Sequence, residues 1–322
     1  MTFKGTSLLT LSEWNSQALQ EILKLAHQVK WEKKTGYFPK RLKNKNIALI
    51  FEKHSTRTRC AFLVAAIDEG AHAECMGPQE IHLGAKESVA DTARVLGRFF
   101  DGIQFRGFLH QTVEDLAKHS GVPIWNGLTD DHHPTQILAD LMTLQEEFGS
   151  LAGLKLVYMG DARNNVAHSL MMGAALSGIH LVLACPSSLA PLQTWMDTCA
   201  QVAKSTGATL KVTQDLGAAL QGAHAVYTDV WVSMGEEGHP DIAQRVKLLK
   251  EFQVNAKSMG ATGRNESIFL HCLPANKGQE VTEEVFESSQ SRVFDQAENR
   301  MHTIKALMLA TMAGVCAGDD CS

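Results

Sequence analysis

Strand-like and helix-like segments alternate along most of the chain, and no other feature restricts the fold as tightly. Short apolar runs at 46–51, 72–76, 102–105 and 122–125 are set among segments of helical period at 13–30, 56–69, 86–99, 111–119 and 134–148. After Gly149, the stretch Leu151-Ala-Gly-Leu-Lys155 leads into a second round. Strands are expected there at 154–159, 180–184, 208–213, 224–228 and 267–270, with helices at 166–176 and 189–206 and a closing helix at 297–313. Parallel strands need crossover helices. The expected fold is therefore α/β, with two domains, each a central, mainly parallel sheet flanked by helices, joined by interdomain helices. A length of 322 residues suits two domains, and the first should end near residue 148.

Composition narrows the function. With 44% hydrophobic and 20% charged residues, each half can bury a core without covalent staples. A net charge of −5 and the lack of a dense Lys/Arg stripe argue against general nucleic-acid binding. No segment is long and apolar enough to span a bilayer, and the first residues do not form a signal-peptide pattern. The seven cysteines are scattered and form no CxxC pair, so neither a disulfide framework nor a zinc ribbon is expected. A cytoplasmic protein fits these features best.

In open α/β sheets, ligands gather beyond the carboxyl ends of the strands, and the unusual polar segments fall there. Phe51-Glu-Lys-His-Ser-Thr-Arg-Thr-Arg59 joins a strand to a helix. With Ser55 as N-cap, Thr56, Arg57 and Thr58 occupy the first turn, where free N–H groups and the helix dipole favour an anion. Hydroxyls and guanidiniums so concentrated describe a phosphate or carboxylate site better than a merely well-capped basic helix. Similar places are held by Phe105-Arg-Gly107, Asp130-Asp-His-His-Pro-Thr-Gln136, Gly160-Asp-Ala-Arg-Asn-Asn165, Asp229-Val-Trp-Val-Ser-Met-Gly235 and His271-Cys-Leu-Pro274. Singly, each has a plainer explanation: Arg106 in a surface ion pair, His133 a structural imidazole, Ser233-Met-Gly235 a turn, Cys272 a buried hydrophobe. Their shared position at strand ends gives them weight.

Together these segments resemble the aspartate/ornithine carbamoyltransferase family, in its ornithine-using form. Ser55-Thr-Arg-Thr-Arg59 is similar to the family's carbamoyl-phosphate loop and His133-Pro-Thr-Gln136 to its companion. Asp229 to Gly235 matches the ornithine-type Asp-x-x-x-Ser-Met-Gly pattern, His271-Cys-Leu-Pro274 a fourth signature, and Asp295-Gln-Ala-Glu-Asn-Arg-Met-His302 the start of the C-terminal helix. The resemblance implies a carbamoyl-phosphate-binding domain at 1–148, completed by the C-terminal helix at 297–316, and an ornithine-binding domain at 149–296, which close on each other. It implies attack of the δ-amino group of L-ornithine on carbamoyl phosphate to give L-citrulline and phosphate, with no metal or organic cofactor. Ser55, Thr56, Arg57 and Thr58 would hold the phosphate, and Arg106 and His133, with Thr58, would surround the carbonyl oxygen. Gln136, the Leu273 carbonyl and Arg300 would orient the carbamoyl end. Asn165, Asp229, Ser233 and Met234 would hold the amino-acid head, and Cys272 would lie near the δ-nitrogen. His82 would reach the active site of a neighbouring subunit in a homotrimer, with Lys86 assisting from the same loop.

Rival activities meet specific obstacles. An aspartate-using relative would need cations where this chain has Asp229, and a putrescine-using one has no α-carboxylate for Ser233-Met-Gly235. An acylated-ornithine form is disfavoured by the plain ornithine type of both loops. A nucleotide-dependent oxidoreductase would need a glycine-rich turn after 154–159 and an acid after the next strand, where Ala184 is followed by Cys-Pro-Ser-Ser. A non-catalytic anion-binding protein has no use for donors in both domains. The short loop after Pro274 leans towards a role in arginine biosynthesis.

Overall fold

The computed structural model describes residues 3–81, 83–84, 86–232, 236, 238 and 240–318. The chain divides into two compact units, Met1–Met142 with Glu298–Ser322, and Thr143–Ala297. In unit 1, α1 (Ser16–Lys34) is followed by β1 (Asn46–Phe51), α2 (Thr56–Asp68), β2 (His72–Met76), α3 (Val89–Phe99), β3 (Gly102–Arg106), α4 (His110–Ser120), β4 (Ile124–Leu128) and α5 (Pro134–Phe148). The sheet is wholly parallel in the order β2-β1-β3-β4. Ala48, Ile50, Ile103, Phe105 and Ile124 on its strands pack with Ala93 and Leu96 of α3 and Val113 and Leu116 of α4. Register places Phe51 beside Arg106, and a bulge after Phe105 sets Arg106 beside Leu128, so the carboxyl ends of β1, β3 and β4 are level.

Unit 2 holds β5 (Lys155–Met159), α6 (Asn165–Ser177), β6 (His180–Ala184), α7 (Gln193–Ala203), β7 (Thr209–Thr213), α8 (Leu216–Leu220), β8 (Ala225–Thr228), α9 (Ile242–Leu249), α10 (Ala256–Gly260), β9 (Ile268–His271) and α11 (Glu283–Phe286). Its parallel sheet runs β7-β6-β5-β8-β9. Met159, Thr228 and His271 lie in register, so the turns leaving β5, β8 and β9 start side by side. The last helix, α12 (Val293–Met308), continues into one turn of wider π-type helix at Leu309–Ala313. Both unit boundaries fall inside helices, α5 and α12.

Several expected ends move for local reasons. The strand expected at 122–125 starts at Ile124, because Gly121 ends α4 in the left-handed conformation (φ 75°) and Pro123 has no N–H for the ladder. The first helix starts at Ser16, where the Asn15 side chain accepts from Ala18 N at 2.8 Å. The helix expected at 189–206 is confined to Gln193–Ala203, and the closing helix starts earlier, at Val293. Arg106, expected just past a strand, is the last residue of β3.

Candidate active site

In unit 1 the site is built on the β1–α2 turn. Ser55 is extended and its Oγ accepts from Thr58 N at 3.2 Å, capping α2. Thr58 is fully buried, and its Oγ1 accepts from Arg300 Nη2 at 3.1 Å. Arg300 Nη1 donates to Gln136 Oε1 at 2.7 Å, and Gln136 Nε2 donates to Asp140 Oδ1 at 2.7 Å. A guanidinium from α12 thus joins α2 to α5 in the interior of the unit. Thr58 can lie this close to the sheet because residue 127 is glycine. A Cβ there would stand 2.5 Å from Gln104 Nε2 and 3.2 Å from Thr58 Cγ2.

The neighbouring turns are tied to this one. Lys53 Nζ donates to Asp130 Oδ1 at 2.5 Å and lies 4.4 Å from the centroid of the Phe108 ring. Glu52 Oε2 accepts from Phe108 N at 3.1 Å. These side chains fasten the turn that follows Arg106 at the end of β3, and the turn after β4 that leads to His133, to the turn after β1. His133 is buried at the entrance to α5. Burial, and then the positive charges of Arg300, Arg106 and Arg57, push its pKa well below the ordinary value. At neutral pH His133 is therefore an uncharged imidazole, a donor or acceptor that adds no charge among the arginines. Thr56 opens α2 exposed to solvent, and Arg57 is half-buried.

Unit 2 supplies a second polar centre at the ends of β5, β8 and β9. Asp229 is buried directly after β8. Its Oδ1 accepts from Val230 N at 2.8 Å and from the Cys272 thiol at 3.0 Å, and its Oδ2 from Asn164 Nδ2 at 3.3 Å. Burial raises the pKa of this carboxyl, against the pull of His271, the Cys272 thiol and the Val230 amide. His271 Nδ1 accepts from Leu273 N at 2.9 Å, which leaves the proton on Nε2, facing Glu280 at 3.3 Å. Asp229, His271 and Cys272 present ligand-type atoms within 4.8 Å of one another, but with both imidazole nitrogens so engaged the set works as a hydrogen-bonded cluster. Leu273 itself holds a left-handed φ of 59°, a conformation unusual for a side-chain-bearing residue.

The structure thus gathers Ser55, Arg57, Thr58, Arg106, His133, Gln136 and Arg300 in one unit, and Asp229, Cys272 and Leu273 in the other. Lys86 is exposed in a turn, and His82, Ser233 and Met234 lie outside the described residues. Asn165 opens α6, while its neighbour Asn164 is the one that meets Asp229. Asn164 also caps α6 through Ala167 N at 2.8 Å and donates to the buried Tyr158 hydroxyl at 2.8 Å. Sequence reading passed over it, although an Asn before an apolar helix is an N-cap signal. Lys53, Glu52 and Asp130 were also missed as ties, because their pairing is visible only in three dimensions.

Residues 6–146 match the family model described as aspartate/ornithine carbamoyltransferase, carbamoyl-P binding domain, and residues 152–311 the Asp/Orn binding domain. An ornithine carbamoyltransferase of Caldanaerobacter subterraneus subsp. tengcongensis is 56% identical over 309 residues, 96% of this chain and 98% of that protein. A catabolic ornithine carbamoyltransferase of Staphylococcus aureus is 52% identical, with 96% of each covered. Among solved structures, ornithine carbamoyltransferase from Pyrococcus furiosus superposes with a TM-score of 0.94 at 41% identity, covering 98% of this chain and 99% of that one.

Proposed function

The chain belongs to the aspartate/ornithine carbamoyltransferase family, and from that membership we propose that it transfers the carbamoyl group of carbamoyl phosphate to the δ-amino group of L-ornithine. The amine nitrogen attacks the carbonyl carbon, the bond from that carbon to the phosphate oxygen breaks, and the amine proton leaves with the products, L-citrulline and phosphate. Ser55, Thr56, Arg57 and Thr58 hold the phosphate at the start of α2, where the helix dipole favours the charge that builds on the leaving group. Neutral His133 and Arg106 meet the carbonyl oxygen, and Gln136, Arg300 and the Leu273 carbonyl orient the carbamoyl group. Asp229 takes the α-ammonium, Cys272 borders the δ-nitrogen, and Asn165, Ser233 and Met234 hold the rest of the amino-acid head. Carbamoyl phosphate is already an activated donor, so the chemistry asks for positioning and charge stabilisation rather than a cofactor.

The observation that carries the acceptor assignment is the buried Asp229 carboxylate at the end of β8. A desolvated anion there favours a cationic group and repels a dicarboxylic acceptor. The test is citrulline formation by the purified protein, with L-aspartate, putrescine and an N-acylated ornithine as parallel acceptors. Carbamoylation of another amine in preference to ornithine would reject the assignment.

The active assembly is a homotrimer in which His82 of one copy serves the site of the next. Val95 and Phe99 support it, since they leave an apolar strip of α3 47% and 68% exposed. The cysteines, free thiols among the described residues, support a reducing cytoplasmic setting. The short loop from Ala275 to Glu280 supports a biosynthetic direction. Sedimentation of the wild-type chain and a Phe99→Asp variant tests the assembly: a trimer is expected for the first and smaller species for the second.

A further inference from the structure

We propose that Arg245 is a positioning residue for the acceptor amino acid, clasping the turn after β5 to the loop after β8. The proposal rests on the reading of Asp229 as the partner of ornithine. Arg245 lies on α9, and its Nη1 and Nη2 donate to Glu236 Oε1 and Oε2 at 3.1 and 2.8 Å. Nη1 is also 3.7 Å from Asp161 Oδ2. Glu236 belongs to the loop that Asp229 opens, and Asp161 to the turn that carries Asn164. One guanidinium therefore spans the two segments whose side chains meet at the Asp229 carboxylate.

The same segments are joined a second time by apolar packing. Trp231, in the loop, packs with Leu249 and Val246 of α9 and with Leu189. The Leu189 carbonyl accepts from Ala162 N, in the turn after β5, at 3.1 Å. Turn, loop and α9 thus form a closed ring, with Arg245 as its polar link. Neutralising Asp161 does not require Arg245, because Arg163 already grips that carboxylate at 3.0 and 2.7 Å. What Arg245 adds is direction. A forked guanidinium fixes both distance and angle to Glu236, which a lysine would not. The Glu236 side chain is 40% exposed, so the pair contributes little to global stability, and its loss should be felt locally, in acceptor binding.

The experiment compares full-length wild type with Arg245→Met, Glu236→Gln, the double variant and Arg245→Lys. Each substrate is varied in turn at saturating levels of the other, and thermal unfolding is followed alongside. The expected result is a KM for ornithine raised about tenfold in each single variant, with kcat and the KM for carbamoyl phosphate within about twofold. The double variant should be no worse than Arg245→Met, and Arg245→Lys should fall between wild type and Arg245→Met. Equal rises for both substrates together with a lowered unfolding midpoint would mean a structural role and overturn the proposal, as would unchanged kinetics or multiplying effects in the double variant. A wild-type protein that makes no citrulline overturns the acceptor reading itself, before any variant is compared.

Discussion

Arg300 is the point on which the polar side chains of unit 1 converge. Arg300→Met leaves Thr58 Oγ1 and Gln136 Oε1 without the donor each has now, and removes the guanidinium proposed to orient the carbamoyl group. The expected result is a kcat lower by about 10²–10³, read from initial rates of citrulline formation. His133 yields a prediction about charge. Its depressed pKa means that the unfolded chain takes up a proton as pH drops below about 6.5 while the folded protein does not. Stability present above that pH is therefore lost as the solution is acidified. Histidine-selective NMR of the folded protein should find His133 still unprotonated at a pH where an ordinary imidazole is half-protonated; an ordinary midpoint would refute the neutral imidazole. Legibility at this scale was uneven. Ser55 and Thr58 stood out as donors concentrated in one helical turn, whereas Arg300 was indicated only by the family resemblance. Asn164 did not, because choosing between adjacent asparagines requires knowing where α6 starts, and one residue turns a helix by about 100°.

Among the elements, the sheets were the easiest to read. β1, β5 and β8 are buried on both faces and show as unbroken apolar runs. The short helices α8 and α10 were not anticipated, since five residues cannot display a helical period. The approach of α2 to β4 was also hidden, although Gly127 permits it. Gly127→Ala forces a methyl group onto Gln104 and presses it against Thr58, so Gln104 must move and Thr58 is crowded. A raised KM for carbamoyl phosphate and a loss of about 1–3 kcal/mol in unfolding free energy are expected, measured by kinetics and denaturant titration. At α6, Asn164→Ala removes a cap and a donor to Asp229 together. It should cost about 1 kcal/mol and raise the KM for ornithine, whereas Asn164→Asp, which retains the cap but places a second carboxylate beside Asp229, should restore stability and not binding.

On the scale of the whole molecule, unit 1 is made from both ends of the chain. α12 is fastened by Lys30 Nζ to Asn299 Oδ1 at 2.7 Å and by Lys305 Nζ to Asp68 Oδ2 at 2.6 Å, both buried. Beside them His302 is held at a pKa of about 4 by burial, against the pull of Glu298. The folded state leaves it neutral, so acid weakens this helix as pH falls from about 6.5 towards 4 and no further below that. His302→Gln should therefore flatten the acid limb of a stability–pH curve measured by thermal unfolding. The division into two α/β halves was legible from the rhythm of the sequence, but these ties were not, because they join residues from opposite ends of the chain. They also set an order of events during synthesis. A nascent chain that has emerged only as far as α5 has made every strand of the first sheet, yet Asp68 waits for Lys305, and Thr58 and Gln136 for Arg300, until all of unit 2 and then α12 have been made. A release-stalled fragment ending before Val293 should stay protease-sensitive in its first half, and the same fragment lengthened through Ala313 should become resistant.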